Sequence, residues 1–224
     1  LGVKNIILVS NGTVALEIAY RTLGLQGFVI TTPFSFVATT SSLVTNSLSP
    51  IFADIDEKTF NLNSENIEKL ITKNTSAIVP VHVFGNACEV EVIEAIATKY
   101  NLKVIYDAAH AFDTRYKGQS VLNYGDISTL SFHATKLFHT IEGGALIIND
   151  DELVQKARYL INFGIKNAEE IPELGTNAKM NEFEAAMGLC MLDDIEEIKQ
   201  QRKVVFDRYF MELKGFVQFQ GQNP

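Results

Sequence analysis

Residues 131–146, SFHATKLFHTIEGGAL, place one lysine, Lys136, between two apolar runs. Upstream, ISTLSF (127–132) reads as a short β-branched strand, and downstream GALIIN (144–149) reads as another. The intervening segment holds His133, His139 and the glycine pair 143–144, with Ser131 at its entrance. An amine at a strand end sits where functional groups of α/β sheets collect. A free lysine titrates near ~10.4, so it becomes a nucleophile only once desolvated or captured as an imine. Taken alone, a lysine in a loop is usually a solvated stem.

Outward from this segment the chain alternates. Strand-like runs occur at NIILVS (5–10), FVIT (28–31), SPIFADID (49–56), SAIVPVHVFG (76–85) and KVIYDAAH (103–110). Helical spacing occupies GTVALEIAYRTLGL (12–25), closed by Gly24, and SFVATTSSLVTN (35–46). A third helix is predicted over NSENIEKLIT (63–72), capped by Asn63 or Ser64. A fourth covers EVEVIEAIATKYN (89–101), with apolar positions 90, 92, 93, 96 and 100. From about residue 151 the pattern is mostly helical, with one long helix at roughly 181–213. Strands alternating with helices predict an α/β fold: a mostly parallel central sheet flanked by helices. Both ends read as cut, LGVKNIILVSNG opening inside a strand-like run and FVQFQGQNP closing as one.

Composition narrows the function classes. The chain has 224 residues, 46% hydrophobic and 21% charged, enough for one large core. A net charge of -8 argues against nucleic acid or an anionic membrane surface as partner. No apolar run reaches the ~18 residues of a membrane span, and no secretory signal opens the chain. Cys88 and Cys190 lack metal spacing and read as two buried free thiols in a reducing, cytoplasmic setting. No metal site is expected.

Two further segments carry chemistry. In SNGTVAL (10–16) a strand ends and a helix begins, with Gly12 and Thr13 at the join. The turn fits a phosphate at the helix start, and equally a plain capped turn; its glycine spacing is that of neither a Walker loop nor a dinucleotide fingerprint. In VIYDAAHAF (104–112), Asp107 ends a buried strand. It is either a cap or salt-bridge residue, or an acceptor facing a protonated ring nitrogen or a metal. His110 falls three residues later. A phosphate cradle, a strand-end carboxylate and a lysine preceded by serine are together the parts that a pyridoxal phosphate site requires.

Seven ordered segments, SNGTVAL, TTPFSFVAT, PIFADID, PVHVFGN, DAAHAF, SFHATKLFHTIEGGA and LGTNAKMNEFEAAMG, resemble the sugar aminotransferases of the DegT/DnrJ/EryC1/StrS family. The resemblance implies fold type I, aspartate-aminotransferase-like. It implies a large pyridoxal-phosphate-binding domain over 1–195, with 196–224 the start of a small C-terminal domain that is largely absent. It implies that Lys136 holds pyridoxal 5'-phosphate covalently and that Asp107 pairs with its ring nitrogen. His110 falls near the ring's 3-hydroxyl, Phe36 stacks on the ring, and Gly12, Thr13 and Ser131 bind the phosphate. Asn177 reaches the neighbouring subunit's phosphate, making a homodimer the expected unit. Lys179 stands where many members have arginine. The family's dehydratases replace the lysine with histidine, whereas Lys136 is retained. The implied substrates are glutamate and a nucleotide-linked keto-deoxysugar, as in polysaccharide and O-antigen biosynthesis. EGGA (142–145) leans toward amination at C4. The alternatives are a nucleotide-sugar 3-aminotransferase or a non-catalytic binding or regulatory protein on the same fold.

Overall fold

The computed structural model describes residues 1–223, so Pro224, the last residue of the expected second domain, lies outside the described residues. Strands β1 (Ile6–Val9), β2 (Phe28–Thr31), β3 (Ser49–Phe52), β4 (Thr75–Val79) and β5 (Lys103–Asp107) alternate with helices α1 (Gly12–Leu23), α2 (Val37–Thr45) and α3 (Val90–Tyr100). A small hairpin, β6 (Arg115–Tyr116) and β7 (Gln119–Ser120), precedes β8 (Ile127–Ser131) and β9 (Gly144–Ile148). Helices α4 (Asp151–Leu160) and α5 (Glu182–Leu213) follow. Seven strands form one sheet in the order β1-β9-β8-β5-β4-β2-β3.

The sheet is parallel from β8 to β3, as the alternation predicts, but β9 runs against both neighbours. That reversal sets the position of the lysine segment. A parallel crossover would carry the chain to the opposite edge, whereas the antiparallel step from β8 to β9 keeps residues 132–143 above one edge of the sheet. Val9 and Ser131 both pair with Gly144, which brings the carboxyl ends of β1 and β8 to either side of it.

Strand residues alternate between two cores. Ala145, Ile147, Ile78 and Tyr106 pack toward α3 and the start of α5, while Leu146, Ile148, Val79 and Ile105 pack toward α1 and α4. Both faces are covered, which explains why the strands read as continuous apolar runs.

Capping follows the local sequence. Asn11 caps α1 by accepting from the Val14 N–H, and Gly24 ends it in the left-handed region. Asn181 and Glu184 form a reciprocal capping box at the start of α5.

Four expectations change. The helix predicted at 63–72 is instead two 3-10 turns, Ser64–Asn66 and Glu68–Leu70. Asn63 caps only the first, and Ile67 is drawn fully into the core, so the segment closes in single turns before β4. In α3 the buried stripe is 90, 93, 96 and 97, whereas Val92 and Tyr100 face outward. Residues 218–223 form no strand; Gly221 donates to the Lys58 carbonyl, and Gln220 Nε2 to the Thr59 and Val83 carbonyls. Cys88 is buried, but Cys190 is exposed on α5, since the helix buries its neighbour Met191 instead. No helix among the described residues is long and apolar enough to cross a membrane.

Candidate active site

A cleft of about 950 Å³ opens over the carboxyl edge of the sheet, and Gly12, Thr13, Phe36, Asp107, His110, Ser131 and Lys136 all line it. Residues as far apart in sequence as 12 and 136 meet there because β1, β5 and β8 end at that edge. Asn177 lies outside the cleft. Its side chain accepts from Lys179 Nζ at 2.9 Å, and Lys179 also reaches Asn162 at 2.8 Å.

The floor is the Asn11–Gly12 turn. A Cβ on Gly12 would lie 2.7 Å from Ser131 Cβ, and one on Gly144 would lie 2.6 Å from the Asn11 carbonyl carbon. Both glycines are therefore required by close packing, and only a bare backbone lets the α1 start rest on the ends of β8 and β9. Gly144, the second glycine of EGGA, has this packing role. In the first turn of α1 the helix offers no acceptor to the Gly12 and Thr13 N–H groups, which together with the helix dipole suit an anion.

Asp107 ends β5 and is 6% exposed. Its Oδ2 accepts from Thr39 Oγ1 at 2.7 Å and its Oδ1 from the Ala109 N–H at 3.1 Å. Two donors settle a carboxylate that would otherwise be costly to bury. Lys136 is half-buried. Desolvation lowers its pKa from the ordinary lysine range, and the charge of Asp107 partly opposes this. Its backbone is braced from below: its N–H donates to the His133 carbonyl at 2.9 Å, and Arg202 on α5 reaches its carbonyl at 3.5 Å. His110 is held below its usual range, first by desolvation and then by the Lys136 charge, with Asp107 acting the other way. Its ring stacks on Phe84, with centroids 6.1 Å apart.

Phe36 stands just before α2 and is 77% exposed, so it belongs to the cleft wall rather than the core. Sequence reasoning did not single out Thr39, Phe84 or Glu142. His133 and Glu142 face each other at 3.7 Å on the cleft wall. The sequence signal for Thr39 is its place at the end of TTPFSFVAT, three residues after Phe36 and in the first turn of α2.

Behind Asp107 lies His82, which is fully buried. Its N–H donates to the Asp107 carbonyl at 3.0 Å, and its ring stacks on Tyr106 at 4.6 Å. Nδ1 accepts from the Cys88 N–H at 3.0 Å, which puts the ring proton on Nε2, where no partner exists among the described residues. Burial holds this imidazole down to about 3. The unfolded chain therefore binds a proton that the folded chain refuses between about 6.5 and 3, and stability should fall as pH drops through that window. Each pH unit is worth about 1.4 kcal/mol, so the upper limit of the loss is of order 5 kcal/mol. In urea unfolding from pH 7 to pH 4, His82→Leu should flatten this slope while lowering stability at pH 7, because the Cys88 N–H loses its acceptor. An unchanged slope would dismiss His82 as its source.

The fold and the lysine loop at its carboxyl edge define fold type I of the pyridoxal-phosphate-dependent transferases. The family profile described as the DegT/DnrJ/EryC1/StrS aminotransferase family matches residues 1–223, and the chain belongs to that family. It is 50% identical over 214 residues to a dTDP-4-amino-4,6-dideoxy-D-glucose transaminase of Shigella dysenteriae, covering 96% of this chain and 58% of that protein. A protein of the same name from Escherichia coli is 44% identical over 216 residues, again with 96% and 58% coverage. Among solved structures, DesI in the presence of its TDP-sugar product superposes with a TM-score of 0.84 at 39% identity, over 88% of this chain and 50% of that one. The chain thus spans between half and three-fifths of the length of these relatives.

Proposed function

We propose that the protein transfers an amino group from glutamate to C4 of a nucleotide-linked 4-keto-6-deoxysugar, using pyridoxal 5'-phosphate. The observation that carries this reading is the convergence of Lys136, Asp107, Ser131 and the Gly12–Thr13 helix start on one cleft. The residues fit the cofactor: the bare Gly12 surface and first-turn N–H groups suit its phosphate, and the buried Asp107 suits a protonated ring nitrogen. The C4 assignment draws on the names of the relatives and not on EGGA, whose second glycine has a packing role.

When bound, pyridoxal phosphate supplies an electron-accepting ring and a carbon that carries the amino group between substrates. The chain's own residues do the rest. Gly12 and Thr13 N–H groups and the Ser131 hydroxyl bind the phosphate. Phe36 would cover one face of the ring and keep water off it. Asp107 would accept a hydrogen bond from the protonated ring nitrogen, and His110 would lie toward the 3-hydroxyl. Lys136 Nζ holds the cofactor between turnovers, takes the proton from Cα of the amino donor, and later delivers one to the sugar carbon that receives the amine. Desolvation keeps more of this amine neutral than a surface lysine would be, which suits it to capturing the cofactor and to taking a proton.

In this proposal the working unit is a homodimer, with Asn177 directed at the partner's phosphate; the position of Asn177 outside its own cleft supports this. The large domain ends near residue 195. Helix α5 passes through that point unbroken, but Met191, Ile195 and Ile198 pack on the sheet, whereas Val204, Val205 and Phe206 are exposed.

The test uses full-length protein, which should sediment as a dimer. Incubated with glutamate and a dTDP-linked 4-keto-6-deoxyglucose, it should release 2-oxoglutarate and a 4-amino sugar. Amination of a 3-keto isomer alone would correct C4 to C3. Reaction with neither sugar, but with free keto acids, would remove the sugar reading. A protein that never takes up pyridoxal phosphate would be a binding or regulatory member.

A further inference from the structure

We infer that Thr39 is the positioning residue for Asp107, holding its carboxylate in the plane from which it meets the cofactor's ring nitrogen; the inference rests on the functional reading above. Thr39 is fully buried in the first turn of α2. A helical threonine commonly returns its hydroxyl proton to the carbonyl of the preceding turn. Thr39 instead lies 2.7 Å from Asp107 Oδ2, 68 positions along the chain. A carboxylate only accepts, so the single Thr39 proton goes to Asp107. Ser35 Oγ, 2.6 Å from Thr39 Oγ1, must then be the donor to Thr39. The order Ser35 to Thr39 to Asp107 is therefore set, and Ser35 itself lines the cleft.

The other carboxylate oxygen is held by the Ala109 N–H at 3.1 Å. With one donor on each oxygen, rotation about the bond to the carboxyl carbon breaks at least one hydrogen bond. The backbone on either side is pinned as well, the Asp107 N–H donating to the Pro80 carbonyl at 2.9 Å and its carbonyl accepting from His82 at 3.0 Å. Thr39 is the one side chain in this set that grips the carboxylate. It follows Phe36, the residue that caps α2, by three positions, so the start of α2 would set both the ring-facing aromatic and the ring-nitrogen acceptor.

The charged and titratable neighbours of Asp107 are Lys136 from the β8–β9 loop, His110 from the segment after β5, Tyr20 from α1, and the buried His82, whose backbone N–H donates to the Asp107 carbonyl. Tyr20 is buried, its hydroxyl 3.2 Å from Ser42 Oγ, and burial pushes its pKa up, out of the working range. None of these groups contacts Thr39 in a hydrogen bond, so a Thr39 substitution changes the carboxylate's hold and leaves them in place.

The experiment compares Thr39→Val, which keeps the volume and loses the hydroxyl, with Thr39→Ser, which keeps the hydroxyl. Full-length wild-type and variant proteins are stripped of cofactor and titrated with pyridoxal phosphate, and the visible band of each loaded protein is followed with pH. Thr39→Val should bind pyridoxal phosphate about tenfold more weakly, the scale of one lost hydrogen bond to a buried charge. It should also shift the pH midpoint of the band, and lower kcat without raising KM for the sugar. Thr39→Ser should restore all three. A Thr39→Val protein with wild-type affinity and midpoint overturns the inference. So does a variant whose only change is a lower apoprotein Tm, or one that Thr39→Ser does not rescue. If wild-type protein itself shows no band, the functional reading fails and takes the inference with it, an outcome distinct from a normal wild type beside an unaffected variant.

Discussion

Full-length protein carrying Lys136→Ala should still take up pyridoxal phosphate but form no amino sugar. The binding surface survives the substitution: the Gly12–Thr13 helix start, Ser131, Asp107 and Phe36 belong to other elements and do not depend on the lysine side chain. The proton transfer does not survive. Within the cleft, Lys136 is the one lysine, and the ring of His110 is turned against Phe84. General acid–base work of this kind is worth on the order of 10²–10⁴ in rate, and the covalent hold on the cofactor is lost as well, so turnover should fall by at least ~10⁴. Lys136→Arg should be equally inactive, because a guanidinium stays charged at any working pH. The measurement is 2-oxoglutarate release from glutamate in the presence of the keto sugar, beside dialysis of the cofactor. A Lys136→Ala protein with more than a few per cent of wild-type turnover would take the lysine out of the proposed role. Peptide mapping after borohydride reduction should place the cofactor on Lys136 and on no other lysine.

Asp107→Asn should leave the fold standing and reduce turnover by roughly 10²–10³, the scale seen when one preorganised electrostatic partner is removed from a buried site. An amide oxygen still accepts from Thr39 or Ala109, so under the proposed function the loss should fall mainly on the ring nitrogen, which would no longer face a negative acceptor. Asp107→Ala should lose as much activity and also stability of about 1–3 kcal/mol, because the Thr39 hydroxyl and Ala109 N–H are then buried without an acceptor. Circular dichroism and thermal unfolding separate the two effects. Near-wild-type turnover in Asp107→Ala, with normal cofactor content, would exclude Asp107 from the chemistry.

Much of the scaffold is legible in single windows of sequence. FVIT is a strand as written, the helix closed by Gly24 ends in the left-handed turn its glycine predicts, and the long helix expected at roughly 181–213 spans Glu182–Leu213. These elements are set by apolar period, caps and turn residues, all local. The segment 63–72 misled the same reasoning: its apolar residues have helical spacing, yet Ile67 is drawn inward by the core and the segment breaks into two short turns. Gly12, Thr13, Asp107 and Ser131 are legible because a strand ends or a helix starts there, and a run of apolar residues gives way to small and polar ones; His110 and Lys136 lie in the loops that follow β5 and β8, and Phe36, just before α2, is legible only through the family resemblance.

Sequence alone thus determined the alternation of strands and helices, the edge at which polar side chains gather, and the identity of the lysine and carboxylate that meet there. The tertiary structure decided what those residues rest on. The reversal of β9 keeps the Lys136 loop over the carboxyl edge, Gly144 admits the start of α1 between β1 and β8, and Thr39 finds Asp107 across 68 positions. Helix and strand periods constrain a residue against its neighbours three or four places away. Which hydroxyl meets which carboxylate depends on the order in which strands lie side by side, and that order is settled by packing two faces of one sheet at once.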